Sequence, residues 1–374
     1  MMDENEDMNL RNTPQIDIVT LSKTLDSNDL IGLTRNFVED FRNGLDYMNS
    51  KHLPWIDELS TQKWDGIICL GMGGSAAGGD FLSALTKLHG NLPVHIQRDY
   101  VMPAWWKKSW LVLTTSHSGN TEEALSATEI ALNSGATVVI ISTGGMLSGL
   151  CEIYSKCHLI PSVGGQPPRT AFGHIFSRQL GLLRRLKVLP APEWKHDLEM
   201  IERLQKASEG FDFIKDPDGD LIELATYMTS RPIALIGPTE LSPALIRFKN
   251  QLNENSARFA RIGIIPEMNH NELVAWGGIG KDRDYDTENQ VVLFLTWQGM
   301  HKRVEHRIDW MVAHTTTEFA WKLHGEGSTL LESLLHLCIV MDWLSIGLAL
   351  IHGKDPERIS PILALKDFLE AKKD

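Results

Sequence analysis

The sequence predicts an α/β fold with two domains, each a mainly parallel sheet flanked by helices in three layers. Short apolar runs alternate with helical segments from residue 66 to residue 186, which is typical of parallel sheets with helices on both faces. A second strand, glycine and helix pattern begins at Arg231 and echoes residues 66–85. The chain has 374 residues, which is enough for two domains of ordinary size.

The first half reads as a helical lead-in followed by a sheet. Apolar side chains recur at every fourth position of a helix predicted over residues 30–48: Leu33, Phe37, Phe41 and Leu45. Strands are predicted at 66–70, 94–97, 110–114, 137–141 and near 158–160. A helix follows over 171–186.

A segment rich in proline and charge, residues 190–195, is a plausible hinge between the halves. Beyond it we predict strands at 231–237, 291–296 and near 318–321, and a helix over 243–255. The halves read as two copies of one fold. We expect a lead-in over 1–55, a first domain over 56–195 and a second domain over 196–374.

The most informative turn is the hydroxyl-rich stretch 116–121, Ser-His-Ser-Gly-Asn-Thr, between a strand and a helix. Such a turn presents free backbone N–H groups and the positive end of a helix dipole, which favour an anion. Ser116, Ser118 and Thr121 add hydroxyl donors, and Asn120 with Glu123 resembles a capping box. A P-loop is excluded because the turn contains no lysine.

A glycine-rich turn, 71–79, follows the first strand of the sheet. Gly71, Gly73 and Ala76 also satisfy the dinucleotide fingerprint, and Asp99 follows the next strand, so a nicotinamide-dependent dehydrogenase stays an alternative. A dinucleotide site accounts for only one phosphate turn. Two neighbouring anion-binding turns can instead share one small phosphorylated ligand.

Composition narrows the possible partners. The net charge of −12 argues against a nucleic-acid surface. Residues 330–351 are apolar enough to suggest a membrane span, but Glu332, His336 and Asp342 favour a helix buried in a core or interface. The acidic N-terminus is not a signal peptide by composition, and we expect it to fray.

The four cysteines form no CxxC pair, which fits a reduced cytoplasmic setting. Cys151, Cys157 and His158 lack the spacing and the fourth ligand of a familiar metal site, so a structural role is favoured. We therefore expect no metal site, and His270 with Glu267 or Glu272 gives no familiar ligand spacing either.

Four further side chains could carry chemistry. Arg169 follows two prolines and opens a helix, and its planar fork suits an oxyanion or sugar hydroxyls. Glu254 ends a helix among amides, and His270 lies sixteen positions on, so the pair offers a possible base and proton donor. Lys366 lies on a C-terminal amphipathic helix.

These motifs together resemble the sugar isomerase (SIS) domain family, and within it the bifunctional phosphoglucose/phosphomannose isomerases. GMGGSAAGG, SHSGNTEEA, PPRTA, LNENSA, MNHNELVAW and GKDPERISPILALKDFL stand in the family's order over nearly the whole chain. His117 departs from the pattern, since the family often has tyrosine there. The region between Trp276 and Leu330 also does not align.

The resemblance implies a phosphate site formed by a set of small residues: Gly74, Ser75, Ser116, Ser118 and Thr121. It further implies that Arg169 steadies an enediolate and that Glu254 moves a proton between C1 and C2. His270 would help to open the sugar ring from the neighbouring subunit of a homodimer, and Lys366 would complete the site.

The expected reaction is therefore a cofactor-free, metal-independent aldose-ketose isomerisation of glucose 6-phosphate and mannose 6-phosphate with fructose 6-phosphate. A small-molecule sugar phosphate is the expected ligand, without nucleic acid or membrane. A non-catalytic sugar-phosphate sensor, an isomerase of another phosphosugar and the dehydrogenase remain alternatives. NAD or NADP binding would identify the dehydrogenase.

Overall fold

The computed structural model describes residues 17–372, so the expected fraying of the N-terminus lies outside the described residues. The strands of the first sheet are β1 (Ile67–Leu70), β2 (Val94–Gln97), β3 (Leu111–Thr115), β4 (Val138–Ser142) and β5 (Cys157–Pro161). They are all parallel and lie in the order β2-β1-β3-β4-β5. Every residue of β1, β3 and β4 is buried, as expected for a sheet covered on both faces.

Eight helices accompany this sheet in the described part of the chain. The lead-in contains α1 (Ile18–Leu25), α2 (Leu30–Arg35), α3 (Phe37–Ser50) and α4 (Pro54–Ser60). The helices α5 (Gly73–His89), α6 (Glu122–Asn133), α7 (Gly145–Ile153) and α8 (Phe172–Arg185) follow strands of the sheet. The single helix predicted over 30–48 is wrong in one respect, because it breaks at Asn36 between α2 and α3.

The second sheet repeats the first in a shorter form. Its strands are β6 (Ile233–Pro238), β7 (Ala260–Ile265), β8 (Val291–Trp297) and β9 (Ala320–Gly325), all parallel. Their order, β7-β6-β8-β9, is the order of the first four strands of the first sheet. The prediction of two copies of one α/β fold is therefore confirmed. Sequence reasoning missed β7 and began β9 two residues early.

The second half contains seven α-helices among the described residues: α9 (Trp194–Gly210), α10 (Asp220–Met228), α11 (Ser242–Ser256), α12 (Leu273–Trp276), α13 (Lys302–His314), α14 (Leu330–Ile351) and α15 (Ser360–Glu370). The domain boundaries near 55 and 195 stay a prediction, since α1 and α2 pack on α14 of the second half and α3 packs on α8 of the first.

Helix α14 is the central core helix. It is long and apolar enough to cross a membrane by length and composition, but 94% of its most apolar window is buried within the fold. It packs against α9, α10 and α11, and its Asp342 carboxylate accepts a 2.8 Å hydrogen bond from the buried guanidinium of Arg247. Pairing of this kind is what a buried carboxylate requires.

Candidate active site

The candidate site lies where the strand order of the first sheet reverses. Strand β1 continues through α5 to β2 on one side, whereas β3 and the later strands lie on the other side. Open α/β sheets bind ligands at such a switch point, outside the carboxyl ends of the strands. The residues that follow β1 and β3, which are the two turns predicted to bind an anion, therefore emerge side by side.

The two turns are hydrogen-bonded to each other. The backbone N–H of His117 donates to the Ser75 hydroxyl at 3.1 Å, and Ser75 keeps its own O–H as a donor. Gly74 lies against the carbonyl of Pro168, where an added Cβ would come within 3.1 Å of the oxygen. The loop that carries Arg169 therefore covers the start of α5.

Within the turn 116–121, the hydroxyls differ in access. Ser116 is 0% exposed, and its oxygen lies 2.8 Å from the Thr121 hydroxyl and accepts a bond from the Gly119 N–H. Ser118 is exposed. Gly119 has φ 72°, and a Cβ there would lie 1.8 Å from the Gly144 carbonyl oxygen, so only glycine fits. Ser116 thus shapes the turn, and Ser118 and Thr121 line its open side.

A third turn, 142–145, follows β4 and was missed from the sequence. Thr143 donates to the His117 carbonyl from its N–H at 3.1 Å and from its hydroxyl at 2.7 Å. The Met146 N–H donates to the Asn120 side-chain oxygen at 2.9 Å. The predicted capping box is therefore wrong, because the Asn120 side chain bonds to the first turn of α7 and α6 has no side-chain cap. The Ser-Thr-Gly-Gly sequence after a strand was an available signal.

Arg169 joins the two halves at the edge of this site. The residue is 5% exposed, and its Nε donates to the Asn255 side-chain oxygen at 2.8 Å. Its Nη2 donates to the carbonyls of Pro356 and Glu357 at 3.1 and 3.2 Å, and its Nη1 lies 3.4 Å from the Glu254 carboxylate. A guanidinium has five N–H donors, so one Nη1 hydrogen is left for another acceptor.

The charge of Arg169 is held in a partly desolvated setting. Burial lowers the pKa of Arg169, and the Glu254 and Glu357 carboxylates oppose that lowering. Because an arginine starts from so high a pKa, it stays protonated. A fixed positive charge therefore lies next to a carboxylate whose side chain keeps 27% of its surface exposed. The predicted pair of Arg169 and Glu254 is brought together.

Lys354 is a residue of this site that sequence reasoning missed. Its ammonium nitrogen lies 2.9 to 3.0 Å from four backbone carbonyl oxygens, which share its three N–H donors: those of Glu254, Asn255, Asp355 and Arg358. Burial and then the nearby charge of Arg169 lower the pKa of Lys354. It holds the C-terminal end of α11, where Glu254 lies, against the loop that also bonds to Arg169. Its position in the GKDP stretch after a long apolar helix was the only signal.

His270 and Lys366 do not join this cluster within the chain. His270 ends a short 3-10 helix, Glu267–His270, that follows β7. It thus lies at the carboxyl edge of the second sheet, whereas Glu254 lies at the amino edge, where α11 ends before β7 begins. The six residues of β7 put about 20 Å between these edges. Lys366 lies on α15, which has no buried residue.

No group of three or more His, Cys, Asp and Glu side chains that could hold a metal ion occurs within residues 17–372. His158, which follows Cys157 in the chain, instead stacks on Trp55 with ring centroids 4.6 Å apart. The chemistry available at the switch point is hydrogen bonding to an anion, a fixed guanidinium and a carboxylate base.

Tandem parallel sheets with hydroxyl-rich turns at the first switch point define the class of SIS-domain proteins. The family model of the bacterial phospho-glucose isomerase C-terminal SIS domain matches residues 219–369. Among solved structures, the C-terminal domain of glucosamine-fructose-6-phosphate aminotransferase from Francisella tularensis superimposes with a TM-score of 0.67 at 14% identity, covering 89% of this chain and 98% of that one. A hypothetical protein of Thermus thermophilus gives 0.65 at 14% identity, with coverage of 95% and 93%.

Comparison with curated proteins identifies a narrower family than the solved structures do. A bifunctional phosphoglucose/phosphomannose isomerase of Aquifex aeolicus is 31% identical over 318 residues, 82% of this chain and 91% of the relative. One from Thermoplasma acidophilum is 29% identical over 306 residues, with coverage of 82% and 90%. A D-glucosamine-6-phosphate 4-epimerase of Sulfolobus acidocaldarius is 30% identical over 214 residues, with coverage of 55% and 62%. The chain belongs to the bifunctional phosphoglucose/phosphomannose isomerase family, and it is a sugar-phosphate isomerase of the aldose-ketose class.

Proposed function

We propose that this enzyme interconverts glucose 6-phosphate and mannose 6-phosphate with fructose 6-phosphate through an enediol intermediate. The observation that carries the proposal is the pairing of Arg169 with Glu254 beside the two hydroxyl-rich turns. A phosphate in those turns and a base at the edge of the second half would hold the two ends of one sugar.

The phosphate is bound by residues around the β1 and β3 turns: Gly74, Ser75, Ser116, Ser118 and Thr121. Ser75, Ser118 and Thr121 offer hydroxyls, and Gly74 lets the backbone approach the ligand closely. Ser116 contributes through its bonds to Gly119 and Thr121, which fix the turn. Binding at the phosphate end supplies the orientation that the reaction at C1 and C2 needs.

Glu254 is the base that removes a proton from the carbon next to the carbonyl. The developing oxyanion accepts a bond from the Nη1 hydrogen of Arg169 to which no acceptor within residues 17–372 is bonded. The same carboxylic acid then returns the proton to the adjacent carbon. Since the enediol is planar at C2, delivery to either face gives the glucose or the mannose configuration. Neither a metal ion nor a nicotinamide is needed for this proton transfer.

We further propose a cytoplasmic homodimer in which His270 reaches the partner's site and helps to open the ring. His270 is exposed at the carboxyl edge of the second sheet, where a second chain could contact it, and the subunit also exposes large apolar side chains such as Tyr285, which is 89% exposed. Exposed apolar patches commonly mark subunit contacts. Helix α15 also exposes apolar side chains, and we propose that Lys366 acts at the site from this helix.

The test is a coupled assay of the purified enzyme with glucose 6-phosphate and mannose 6-phosphate. Glu254→Gln should keep substrate affinity and lose turnover by at least about 10²-fold, as expected when a general base is removed. Near-normal turnover of this variant would remove Glu254 from the base role. EDTA should leave the activity intact, and a loss restored by zinc would contradict the metal-free mechanism.

A further inference from the structure

Two of the four cysteines face each other at the end of α7 that lies away from the candidate site. Cys151 lies in α7 and Cys157 begins β5, and their sulfur atoms are 2.7 Å apart as free thiols. Cys69 and Cys338 are buried elsewhere in the core. The pair is thus the one place in the described chain where two thiols lie next to each other.

The two thiols are not equivalent. The hydrogen bond from the Cys157 thiol lowers the pKa of Cys151 against the effect of burial, whereas the same bond raises the pKa of Cys157. Cys151 is partly exposed, and Cys157 is buried beneath it. An accessible, acidic thiol next to a buried one is the arrangement of an attacking and a resolving cysteine.

We propose that Cys151 and Cys157 form a modification site at which a hydroperoxide converts the two thiols into a disulfide. Transient disulfides of this kind are the form in which cytosolic proteins use oxidised cysteine pairs.

The chemistry balances with the peroxide as the oxidant. The Cys151 thiolate attacks one peroxide oxygen, the O–O bond breaks, and the leaving hydroxide takes up a proton to form water. Cys157 sulfur then attacks the resulting sulfenic acid, the S–O bond breaks, and the oxygen leaves as a second water with the Cys157 proton. Each cysteine loses one electron, and the peroxide gains two. A thiol reductant reverses the reaction.

Helix α7 connects the cysteine pair to the turn 116–121, which is proposed to bind the phosphate. The first turn of this helix donates from Met146 to the Asn120 side chain and from Leu147 to the Gly119 carbonyl, both within 116–121. Closing the disulfide draws the far end of α7 toward β5, and the short helix transmits the shift to these two bonds. We expect weaker sugar-phosphate binding after oxidation, and this part of the inference rests on the proposed function.

The experiment treats the full-length reduced enzyme with hydrogen peroxide and maps its peptides by mass spectrometry. The expected product joins the Cys151 and Cys157 peptides with a loss of about 2 Da, reversed by dithiothreitol. Cys69 and Cys338 serve as internal controls, because burial raises the pKa of each to about 12 and they should stay unmodified. Cys157→Ser should stop at a sulfenic acid on Cys151, about 16 Da heavier and trapped by dimedone.

The kinetic arm measures KM for fructose 6-phosphate before and after oxidation. A rise of about fivefold, absent in Cys151→Ser, is expected from the loss of one hydrogen bond at the turn. Equal oxidation of all four cysteines, or none of the pair, would overturn the proposal. A mapped disulfide with unchanged KM would overturn the connection to the phosphate turn. If the reduced enzyme has no isomerase activity, that result counts against the proposed function and not against the cysteine site. The peptide mapping then decides by itself whether the disulfide forms.

Discussion

Replacing Arg169 with lysine tests the connection between the two halves of the site. The guanidinium reaches acceptors in three directions: the Asn255 side chain, the Glu254 carboxylate and the carbonyls of the loop 356–357. A lysine keeps the charge but has one nitrogen at the end of a flexible stem. The lysine can donate toward only one of these groups, so about three of the four hydrogen bonds of Arg169 are lost.

The expected cost follows from those bonds. At a net value of about 1 kcal/mol each, three lost bonds lower the free energy of unfolding by about 3 kcal/mol. The buried Asn255 oxygen, on a residue that is 1% exposed, is then left without its donor and adds about 1 kcal/mol. A typical domain stability of about 5–15 kcal/mol tolerates this loss, so the variant should fold.

The effect of Arg169→Lys on kcat should be larger than its effect on folding. Arg169→Lys removes the free Nη1 hydrogen and loosens Glu254, so we expect kcat to drop by about 10²-fold, the effect of losing one oxyanion donor. Urea unfolding and the coupled assay measure the two effects separately. Arg358→Lys is the matched control, since this neighbouring arginine is exposed and its guanidinium makes no hydrogen bond within residues 17–372. If Arg169→Lys matched the control in both measurements, the reasoning would be refuted.

Two other outcomes are expected from the same geometry. Lys354→Met should lower kcat more than it changes KM, because the lost bonds hold the helix end that carries Glu254, and a kcat equal to that of the wild-type enzyme would contradict a positioning role. Burial lowers the pKa of His117 below its usual 6.5, so the unfolded chain takes up the proton first. The free energy of unfolding should then be undiminished above pH 6.5 and fall as the pH drops below it, and His117→Gln should flatten that fall in urea titrations between about pH 5 and pH 8. An unchanged slope in this variant would show that other groups cause the dependence.

Local patterns predicted most of the fold. The turn around Gly119 could be predicted from the sequence because its conformation depends on neighbouring residues. It also needs a positive φ, which glycine alone adopts easily. Strand β7 was missed because it is an edge strand, where Arg261 and Gly263 interrupt the apolar run. The break at Asn36 was missed for a different reason, because the apolar stripe continues through both helices and does not show where one ends and the next begins.

Contacts between distant segments were harder to predict. Asn120 has the spacing of a capping box, yet the N-cap of α6 is Thr121, and the Asn120 side chain instead accepts a bond from the N–H of Met146, 26 positions away. Lys354 gave no signal beyond its position in the GKDP stretch, since its acceptors are backbone carbonyls that any sequence supplies. The pairing of Arg169 with Glu254 came from the family resemblance, because nothing in either local stretch indicates the other.

The same topology explains why one chain holds only part of the proposed machinery. The carboxyl edge of the first sheet meets the amino edge of the second, so Glu254 lies beside Arg169 in the loop that covers Gly74, whereas His270 lies at the other edge of the second sheet. In a two-fold dimer, the same surface of each subunit contacts the other, so two chains can exchange this edge reciprocally. The site would then be completed twice, once by each partner's histidine.

Mixing two inactive variants tests this exchange. Glu254→Gln and His270→Ala should each be strongly impaired as homodimers. After the two are unfolded together and refolded as an equal mixture, half of the dimers carry one copy of each, and one of their two sites has both native groups. The mixture should therefore recover about a quarter of the wild-type activity. Refolded single variants are the control, and a mixture no more active than they are would mean that His270 does not act across the interface, since a histidine acting within its own chain cannot be complemented.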